Sequence, residues 1–290
     1  TPKPSSAASD VYKRQIEDSG YMSPSELIAD EQRPKHLSPS SASTFRQCPR
    51  RWRMRYIDKL PDPKGEAAVL GTFVHEILED LLNLDSAERA LATAKKIAGR
   101  VWEETAIDED FISLCLAEDE VKAFKWRAWR LIEKYFAIED PKKVQVVEAE
   151  QTLAVEIDGV PFYGIVDLTE RVGSGLRVVD YKTGKTPRAR YVDDKLSQVW
   201  LYAAALAETD NEVSEVRLMY LTSGPIDRVV DTNEVSKAVI THRKTWDALC
   251  EAIVKNDFPH HVGPLCNWCP YLENCPEGAI EVQRRFGPRS

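Results

Sequence analysis

The segment RVVDYKTGK, residues 177–185, combines the apolar run of a strand with two charged side chains near its end. Asp180 and Lys182 are two positions apart, so both side chains emerge on one face of a strand. An aspartate there can hold a hard divalent cation, and the lysine can orient a water and offset charge that builds up on a phosphate. Taken singly, the Asp-x-Lys pattern is more typical of a solvated edge strand.

The preceding segment YGIVDLTER, residues 163–171, places a second aspartate, Asp167, in another apolar run. The residues GSG between the two runs indicate a hairpin. With a turn centred between residues 173 and 174, Asp167 lies directly opposite Asp180. Any loop with an even number of residues keeps the two on one face, and an odd loop separates them. We therefore expect two carboxylates and a lysine to converge, as metal-assisted phosphodiester hydrolysis requires.

The chain has 290 residues, enough for one elaborated domain or two small ones, and a formal net charge of -8. It lacks an apolar run that could span a bilayer, and its start lacks the order of a secretory signal, so a cytoplasmic location without membrane contact is the default expectation. The negative charge argues against indiscriminate coating of nucleic acid, but says nothing about how the charge is distributed.

Two clusters mix basic and aromatic residues. One surrounds Trp52 and Tyr56, and the other includes Trp126, Trp129 and Tyr135. Such clusters suit a surface that follows the backbone of a single strand and stacks its bases. For the second cluster, an amphipathic helix with a core-facing aromatic stripe is an equal alternative. The basic members are Arg46, Arg50, Arg51, Arg53 and Arg55 in the first cluster, and Lys122, Lys125, Arg127, Arg130 and Lys134 in the second.

The first 36 residues are expected to lack order. Residues 5–15, SSAASDVYKRQ, resemble translated sequencing-library adaptor, and the following stretch is rich in serine, proline and acid with no period. Residues 37–290 are expected to form a single domain. Its predicted parts are a helical part at 37–140, a catalytic core at 144–231, and a helix with a cysteine-rich end at 232–290.

The hydrophobic period changes from helical to alternating near residue 144. Ser38 can cap the first helix, and Ser86 the third. Helices are predicted over 38–48, 66–84, 86–105, 108–135, 192–208 and 234–255, with three strands between 144 and 181 and two more over 213–221 and 227–231.

These residues and elements resemble the RecB-like branch of the PD-(D/E)XK nucleases. The aspartates and lysine of the hairpin match its strand motif, QVWLY from Gln198 to Tyr202 matches a motif on the following helix, and GTFVH ending at His75 matches one on an upstream helix. The resemblance covers about residue 37 onward. It implies an α/β, restriction endonuclease-like core with a mixed central sheet flanked by helices.

The resemblance also implies roles for individual residues. Asp167 and Asp180 would coordinate one or two Mg²⁺ or Mn²⁺ ions, with His75 and a main-chain carbonyl near Tyr181 as further ligands. Carboxylates suit Mg²⁺, and an added imidazole shifts the preference toward Mn²⁺. Lys182 would position the attacking water or help to deprotonate it.

Gln198 and Tyr202 lie one helical turn apart and would brace the site and contact DNA. Without the resemblance, these two would be interpreted as a core-edge pair, and His75 as a surface histidine paired with Glu79. The sequence departs from the family pattern at Val166, where the family name expects proline, and at the second aspartate, where many members have glutamate. Neither departure removes a metal-binding oxygen.

Cys266, Cys269 and Cys275 place three soft ligands in one short, proline-containing segment. A closed site needs a fourth ligand, and Cys48 is the best candidate. The resemblance implies that these four hold a [4Fe-4S] cluster that ties the two ends of the domain together.

A zinc site with a histidine in place of Cys48 is an alternative, with His260 or His261 as that ligand. Disulfides are less expected in a cytoplasmic chain. Cys115 and Cys250 fall on predicted helices and are expected to be core residues.

Two functions fit these features. The first is a metal-dependent DNA exonuclease that acts on DNA ends or single strands in repair, recombination or related processing. The second is a DNA-binding scaffold subunit, catalytically dispensable, of a helicase–nuclease or CRISPR adaptation complex. The presence of both aspartates and the lysine favours the first.

Overall fold

The computed structural model describes Ile28 and residues 33–287. The adaptor-like segment and most of the stretch expected to lack order lie outside these residues. The described strands are β1 (Val146–Ile157), β2 (Val160–Val172), β3 (Gly175–Lys182), β4 (Val213–Tyr220) and β5 (Gly224–Val229). They form one sheet in the order β1-β2-β3-β4-β5, in which β3 and β4 are parallel while the β2–β3 and β4–β5 pairs are antiparallel.

The described α-helices are α1 (Pro39–Gln47), α2 (Pro49–Tyr56), α3 (Glu66–Leu82), α4 (Leu91–Thr105), α5 (Glu109–Ser113), α6 (Glu118–Ile138), α7 (Val192–Ala207), α8 (Thr232–Lys255) and α9 (Pro276–Phe286). A mixed sheet flanked by helices confirms the predicted fold class. Helices α1, α3, α7 and α8 match their predicted ranges to within two residues. Ser38 caps α1 as expected, because its hydroxyl accepts a hydrogen bond from the N–H of Ser41 at 3.2 Å.

Two predicted helices are wrong in extent. The helix predicted over 86–105 begins only at Leu91, and Ser86 starts a short 3₁₀ turn instead. The buried guanidinium of Arg89 holds this segment by donating to three main-chain carbonyls. The helix predicted over 108–135 is interrupted between α5 and α6, where Cys115 adopts a left-handed conformation with a φ of 51°.

Other differences are smaller. The strand predicted over 227–231 is β5, which starts three residues earlier because a tight turn pairs Tyr220 with Gly224. Helices α2 and α9 were not predicted, although each begins with a proline in its first turn, which is a common start signal.

The chain divides into two compact units. The core unit comprises Lys64–Val155 and Gly164–Ala238, and the terminal unit comprises Glu156–Tyr163 with the described residues up to 63 and from 239 onward. In the core unit, apolar side chains of α3, α4 and α6 meet Val179 and Tyr181 of β3 in one buried cluster. The helices of the described part of the chain are all too short or too polar to cross a membrane.

Trp52 lies in the buried core of the terminal unit. It is 4% exposed, stacks on Phe258 with ring centroids 6.1 Å apart, and donates from its indole N–H to Ser41 Oγ at 2.8 Å. The expectation that Trp52 belongs to a base-stacking surface is therefore wrong. In the second aromatic cluster Tyr135 is fully buried, whereas Trp126 is 65% exposed, so α6 has both a core-facing side and an exposed aromatic.

A network of largely buried charges links four strands of the core unit to the end of α6. Arg217 of β4 lies 2.7 Å from the Glu139 carboxylate and 2.6 Å from that of Asp227 on β5. Arg177 of β3 lies 2.9 Å from the carboxylate of Glu170 on β2. These ion pairs face the helices α3, α4 and α6 and fix the strands of the hairpin against the rest of the sheet.

We expect Arg217→Met to lower the free energy of unfolding by about 1–3 kcal/mol, because it leaves the partly buried Glu139 carboxylate without its cation. Chemical denaturation followed by circular dichroism measures this loss. Arg171→Met removes an exposed arginine from β2 and should change stability by less than about 0.5 kcal/mol. Equal stability of the two variants would contradict a structural role for the network.

Candidate active site

The β2–β3 hairpin fixes the relative position of the two aspartates. Its register runs from the Leu168–Val179 pair to a turn centred between residues 173 and 174. Asp167 and Asp180 stand one step beyond that pair, directly opposite each other on one face of the sheet. The predicted register is thus confirmed.

Two neighbours hold the carboxylate of Asp167. The main-chain N–H of Tyr181 donates to its Oδ2 at 2.6 Å, and Nδ1 of His75 lies 3.5 Å from the same oxygen. His75 comes from α3, which passes close to the end of β3, since a Cβ at Gly71 would lie 3.6 Å from Thr183 Oγ1. The helix motif and the strand motif of the sequence therefore meet at this point.

Glu150 of β1 joins this pair. Among the described residues, His75, Glu150 and Asp167 form the one group of three whose ligand atoms all lie within 4.8 Å of one another. Glu150 has a left-handed backbone with a φ of 50°, which costs a non-glycine residue about 1–3 kcal/mol. Glu150 is not predicted from the sequence, because Glu148 two positions earlier fits the same strand pattern.

Asp180 and Lys182 form a close ion pair beside this group. Asp180 is 2% exposed, and the Lys182 ammonium lies 2.5 Å from its Oδ2. Burial, followed by the charge of Asp167, raises the pKa of Asp180 to about 6. Burial opposes the charge on Lys182, but Asp180 and Asp167 outweigh it and raise the pKa of the lysine, so the ammonium is charged at neutral pH.

Crowded carboxylates also shift the pKa values of the three-residue group. Burial, together with the charge of Asp167, raises the pKa of Glu150 to about 7. For His75, burial lowers the pKa, but the hydrogen bond and charge of Asp167 with the charges of Asp180 and Glu150 raise it overall. The site therefore takes up protons close to neutral pH and is suited to exchange them for a cation.

Gln198 and Tyr202 of α7 face the same charges. Gln198 Nε2 donates to the hydroxyl of Tyr202 at 2.9 Å, and the tyrosine is 4% exposed. Burial raises the pKa of Tyr202, and the charges of Asp180 and Asp167 raise it further. The structure thus brings this pair close to the hairpin carboxylates. The side chain of Tyr181 lies in the apolar cluster, with its ring centroid 6.2 Å from that of His75.

The four predicted cysteine ligands lie in the terminal unit and line one cavity of about 50 Å³. Cys48, between α1 and α2, shares this cavity with Cys266, Cys269 and Cys275. Burial raises the pKa of the Cys269 thiol, and the nearby thiols of Cys48 and Cys266 raise it further. Both predicted alternative ligands, His260 and His261, line the same cavity.

The sulfur atoms of the cavity have close main-chain neighbours but are not clustered tightly with one another. The N–H of Gly263 lies 3.4 Å from Cys266 Sγ, and a Cβ at Gly278 would lie 3.2 Å from Cys275 Sγ. Within the described residues, no three of the thiols lie within 4.8 Å of one another. Of the remaining cysteines, Cys250 is buried as expected, whereas Cys115 is exposed, because it lies in the break between α5 and α6.

Two known proteins are similar to this chain in sequence or in structure. The Gene 69 protein of Mycobacterium phage L5 is 25% identical, in an alignment that covers 59% of this chain and 70% of that protein. A solved structure of a "putative exonuclease" from Eubacterium rectale is similar with a TM-score of 0.54 and 14% identity, covering 83% of this chain and 88% of that one. At this identity the likeness shows the fold alone.

A sequence model of the PD-(D/E)XK nuclease superfamily matches residues 36–276. The match extends over more than half of the chain and contains the hairpin, α3, α7 and the four cysteines that line the cavity. This protein therefore belongs to the PD-(D/E)XK nuclease superfamily.

Proposed function

We propose that this protein is a metal-dependent DNA exonuclease of the RecB-like branch, acting in the cytoplasm on DNA ends or single strands during repair or recombination. The observation that carries the proposal is the convergence of Asp167, Asp180 and Lys182 on one face of the hairpin end. The helix motifs that end at His75 and Tyr202 meet the same place, which supports the RecB-like branch.

The residues present suit Mg²⁺ or Mn²⁺. His75, Glu150 and Asp167 offer one imidazole and two carboxylates within 4.8 Å, and hard divalent cations prefer oxygen ligands while an imidazole favours Mn²⁺. The main-chain carbonyl near Tyr181 and the carboxylate of Asp180 complete the proposed ligand set. Such an ion, when bound, polarises the phosphoryl oxygen and lowers the pKa of water.

The protein's own groups then act on water and phosphate. Lys182 keeps its proton at neutral pH, so it donates hydrogen bonds that orient the attacking water and offset charge on the phosphate. Asp180 holds the ammonium in place through their 2.5 Å contact. Glu150, Asp167 and Asp180 are together called the acidic site here. Gln198 supports Tyr202 of α7, whose buried hydroxyl braces this site.

Asp180→Asn is expected to slow cleavage by about 1,000-fold or more, because it weakens both cation binding and the placement of Lys182. Binding of DNA should stay within twofold of wild type. Digestion of end-labelled single- and double-stranded DNA with Mg²⁺ or Mn²⁺ measures the rate, and the label position gives the polarity.

Asp193→Asn changes an exposed aspartate on α7 and serves as the matched control. Cleavage retained by the Asp180→Asn protein would refute the assignment of the site. Absence of cleavage by intact wild type would favour a scaffold subunit that works with a helicase or a CRISPR adaptation partner.

Binding of Mn²⁺ should weaken as the pH falls. The pKa of Glu150 is about 7, so the cation must displace a proton below that pH, and affinity should drop about tenfold from pH 7.5 to 6. Calorimetric titration in two buffers of different protonation enthalpy measures the affinity and the protons released.

Glu150→Gln should give a lower affinity at pH 7.5 and a flatter pH dependence. Glu148→Gln removes an exposed carboxylate of the same strand and should behave as wild type. If the Glu148 and Glu150 variants gave the same pH profile, Glu150 would not be a ligand.

We further propose that the cysteine-lined cavity holds a [4Fe-4S] cluster, because thiolates are the ligands of such clusters. A single zinc ion binds each thiolate at a Zn–S distance of about 2.3 Å, so it holds the sulfur atoms of its site close to one another. No three of the described thiols have sulfur atoms that all lie within 4.8 Å of one another. This spacing supports a cluster over one ion, and the zinc alternative with His260 or His261 is the competing outcome.

Cys269→Ser should abolish the stoichiometric iron and acid-labile sulfide of anaerobically purified protein and lower its thermal stability, because one thiolate ligand is lost. Cys115→Ser, at an exposed cysteine outside the cavity, should leave both unchanged. Stoichiometric zinc without sulfide in the wild type would rule out the cluster and favour the zinc site.

A further inference from the structure

The outward side of α6 carries a basic and aromatic stripe that the chemistry proposed above does not use. Trp126, Arg130 and Lys134 are four residues apart, so they lie in one row along the helix. All three are exposed, and Trp126 exposes 65% of its surface. An exposed tryptophan in a row of cations, on a chain with a net charge of -8, indicates a surface that binds something.

The stripe lines an open groove of about 640 Å³, here called the α6 groove. Among the described residues, its lining contains three cations and no carboxylate. The lining residues are Leu70, Trp126, Arg127, Arg130, Leu131, Lys134 and Thr183. Thr183 directly follows Lys182 in sequence, and the Lys134 ammonium lies 3.5 Å from the main-chain carbonyl of Thr222. The α6 groove therefore ends where β3 ends, beside the acidic site.

Trp126 also lines a second groove, of about 330 Å³, between α4 and α6. That groove adds two cations and two further tryptophans, and again no described carboxylate lines it; its residues are Phe73, Ile77, Lys95, Ala98, Gly99, Trp102, Lys125, Trp126 and Trp129. The Lys125 ammonium lies 4.4 Å from the centroid of the Trp102 ring. Trp126 lines both grooves, which together are here called the cationic path.

Ion pairing neutralises only part of this path. Arg127 is paired with Glu66, and the Trp129 indole donates to the Glu133 carboxylate. Other cations along the path have no carboxylate within 4 Å in the described part of the chain; they are Lys95, Lys125, Arg130 and Lys134. Four cations without a carboxylate partner, beside the exposed ring of Trp126, are available to a ligand with spaced negative charges and flat rings.

We propose that this path binds a single strand of nucleic acid, with Trp126 stacking on a base and Arg130 and Lys134 contacting phosphates. Surfaces for single strands combine a cationic groove that follows the backbone with aromatic side chains on which bases stack. A duplex offers mainly its phosphates, because its bases are already stacked, so Trp126 should favour single strands. That the strand is bound for hydrolysis at the acidic site rests on the function proposed above.

The test uses the full chain with Asp180→Asn, so that binding is measured without cleavage. Fluorescence anisotropy of an end-labelled single-stranded oligonucleotide gives the affinity. Trp126→Ala should weaken binding about five- to 150-fold, because one stacked base is lost, and Trp126→Phe should retain most of it. The double change Arg130→Gln and Lys134→Gln should make the plot of log affinity against log salt shallower. The magnitude of its negative slope should fall by about 1.4, since two phosphate contacts are removed.

Lys122→Gln is the matched control, because Lys122 is an exposed cation of α6 that lines neither groove. It should leave affinity within twofold of the parent, and circular dichroism should show an unchanged fold for every variant. Wild-type affinity of the Trp126→Ala protein would overturn the proposal. Equal weakening for duplex and single-stranded DNA would overturn the stacking role.

Hydrolysis of a small phosphodiester, bis(p-nitrophenyl) phosphate, separates this proposal from that of the nuclease. The substrate is too short to reach from the acidic site along the path, so Trp126→Ala in an otherwise wild-type chain should keep its rate. Loss of that rate would overturn the assignment of Trp126 to strand binding. Single-strand binding that depends on Trp126, in a protein that hydrolyses neither substrate, would support the path while refuting the nuclease.

Discussion

Repulsion between carboxylates at the end of the β2–β3 hairpin is the constraint to which the surrounding residues respond. Asp167 and Asp180 face each other, Glu150 lies close to the first of them, and like charges directly opposite on a sheet destabilise it. The Lys182 ammonium, the His75 imidazole and one main-chain N–H offset part of this repulsion. The pKa values of two carboxylates are nevertheless raised, so the site is one that a divalent cation would stabilise.

Contacts on the opposite face of the β2–β3 hairpin also determine its strand register. Val179 and Tyr181 enter the apolar cluster beneath α3 and α6, while Arg177 pairs there with Glu170. A slip of one residue would exchange the faces and place Asp180 among apolar side chains. The apolar side and the ion pairs therefore enforce the register that the acidic site needs, which links the stability of the core unit directly to its chemistry.

The hairpin register could be predicted from the sequence because it depends on local features: alternation, two glycines and the parity of the loop. Features set by distant contacts could not. Glu150 differs from Glu148 only in its left-handed backbone and its approach to α3, and Trp52 is buried because Phe258 covers it from 206 positions away. The break at Cys115 has no glycine or proline to mark it, so the sequence reads as one continuous helix there.

The distribution of charge explains how an acidic protein could hold a polyanion next to three carboxylates. At physiological ionic strength charges farther than about 8 Å apart are largely screened, so the cations in contact with a strand decide its binding, and the net charge of -8 does not. The acidic groups are recessed, with Asp180 only 2% exposed, whereas Arg130 and Lys134 stand at the surface. A strand on the path would therefore meet cations along its length and the carboxylates only at the end of β3, where Lys182 and a bound cation would neutralise them.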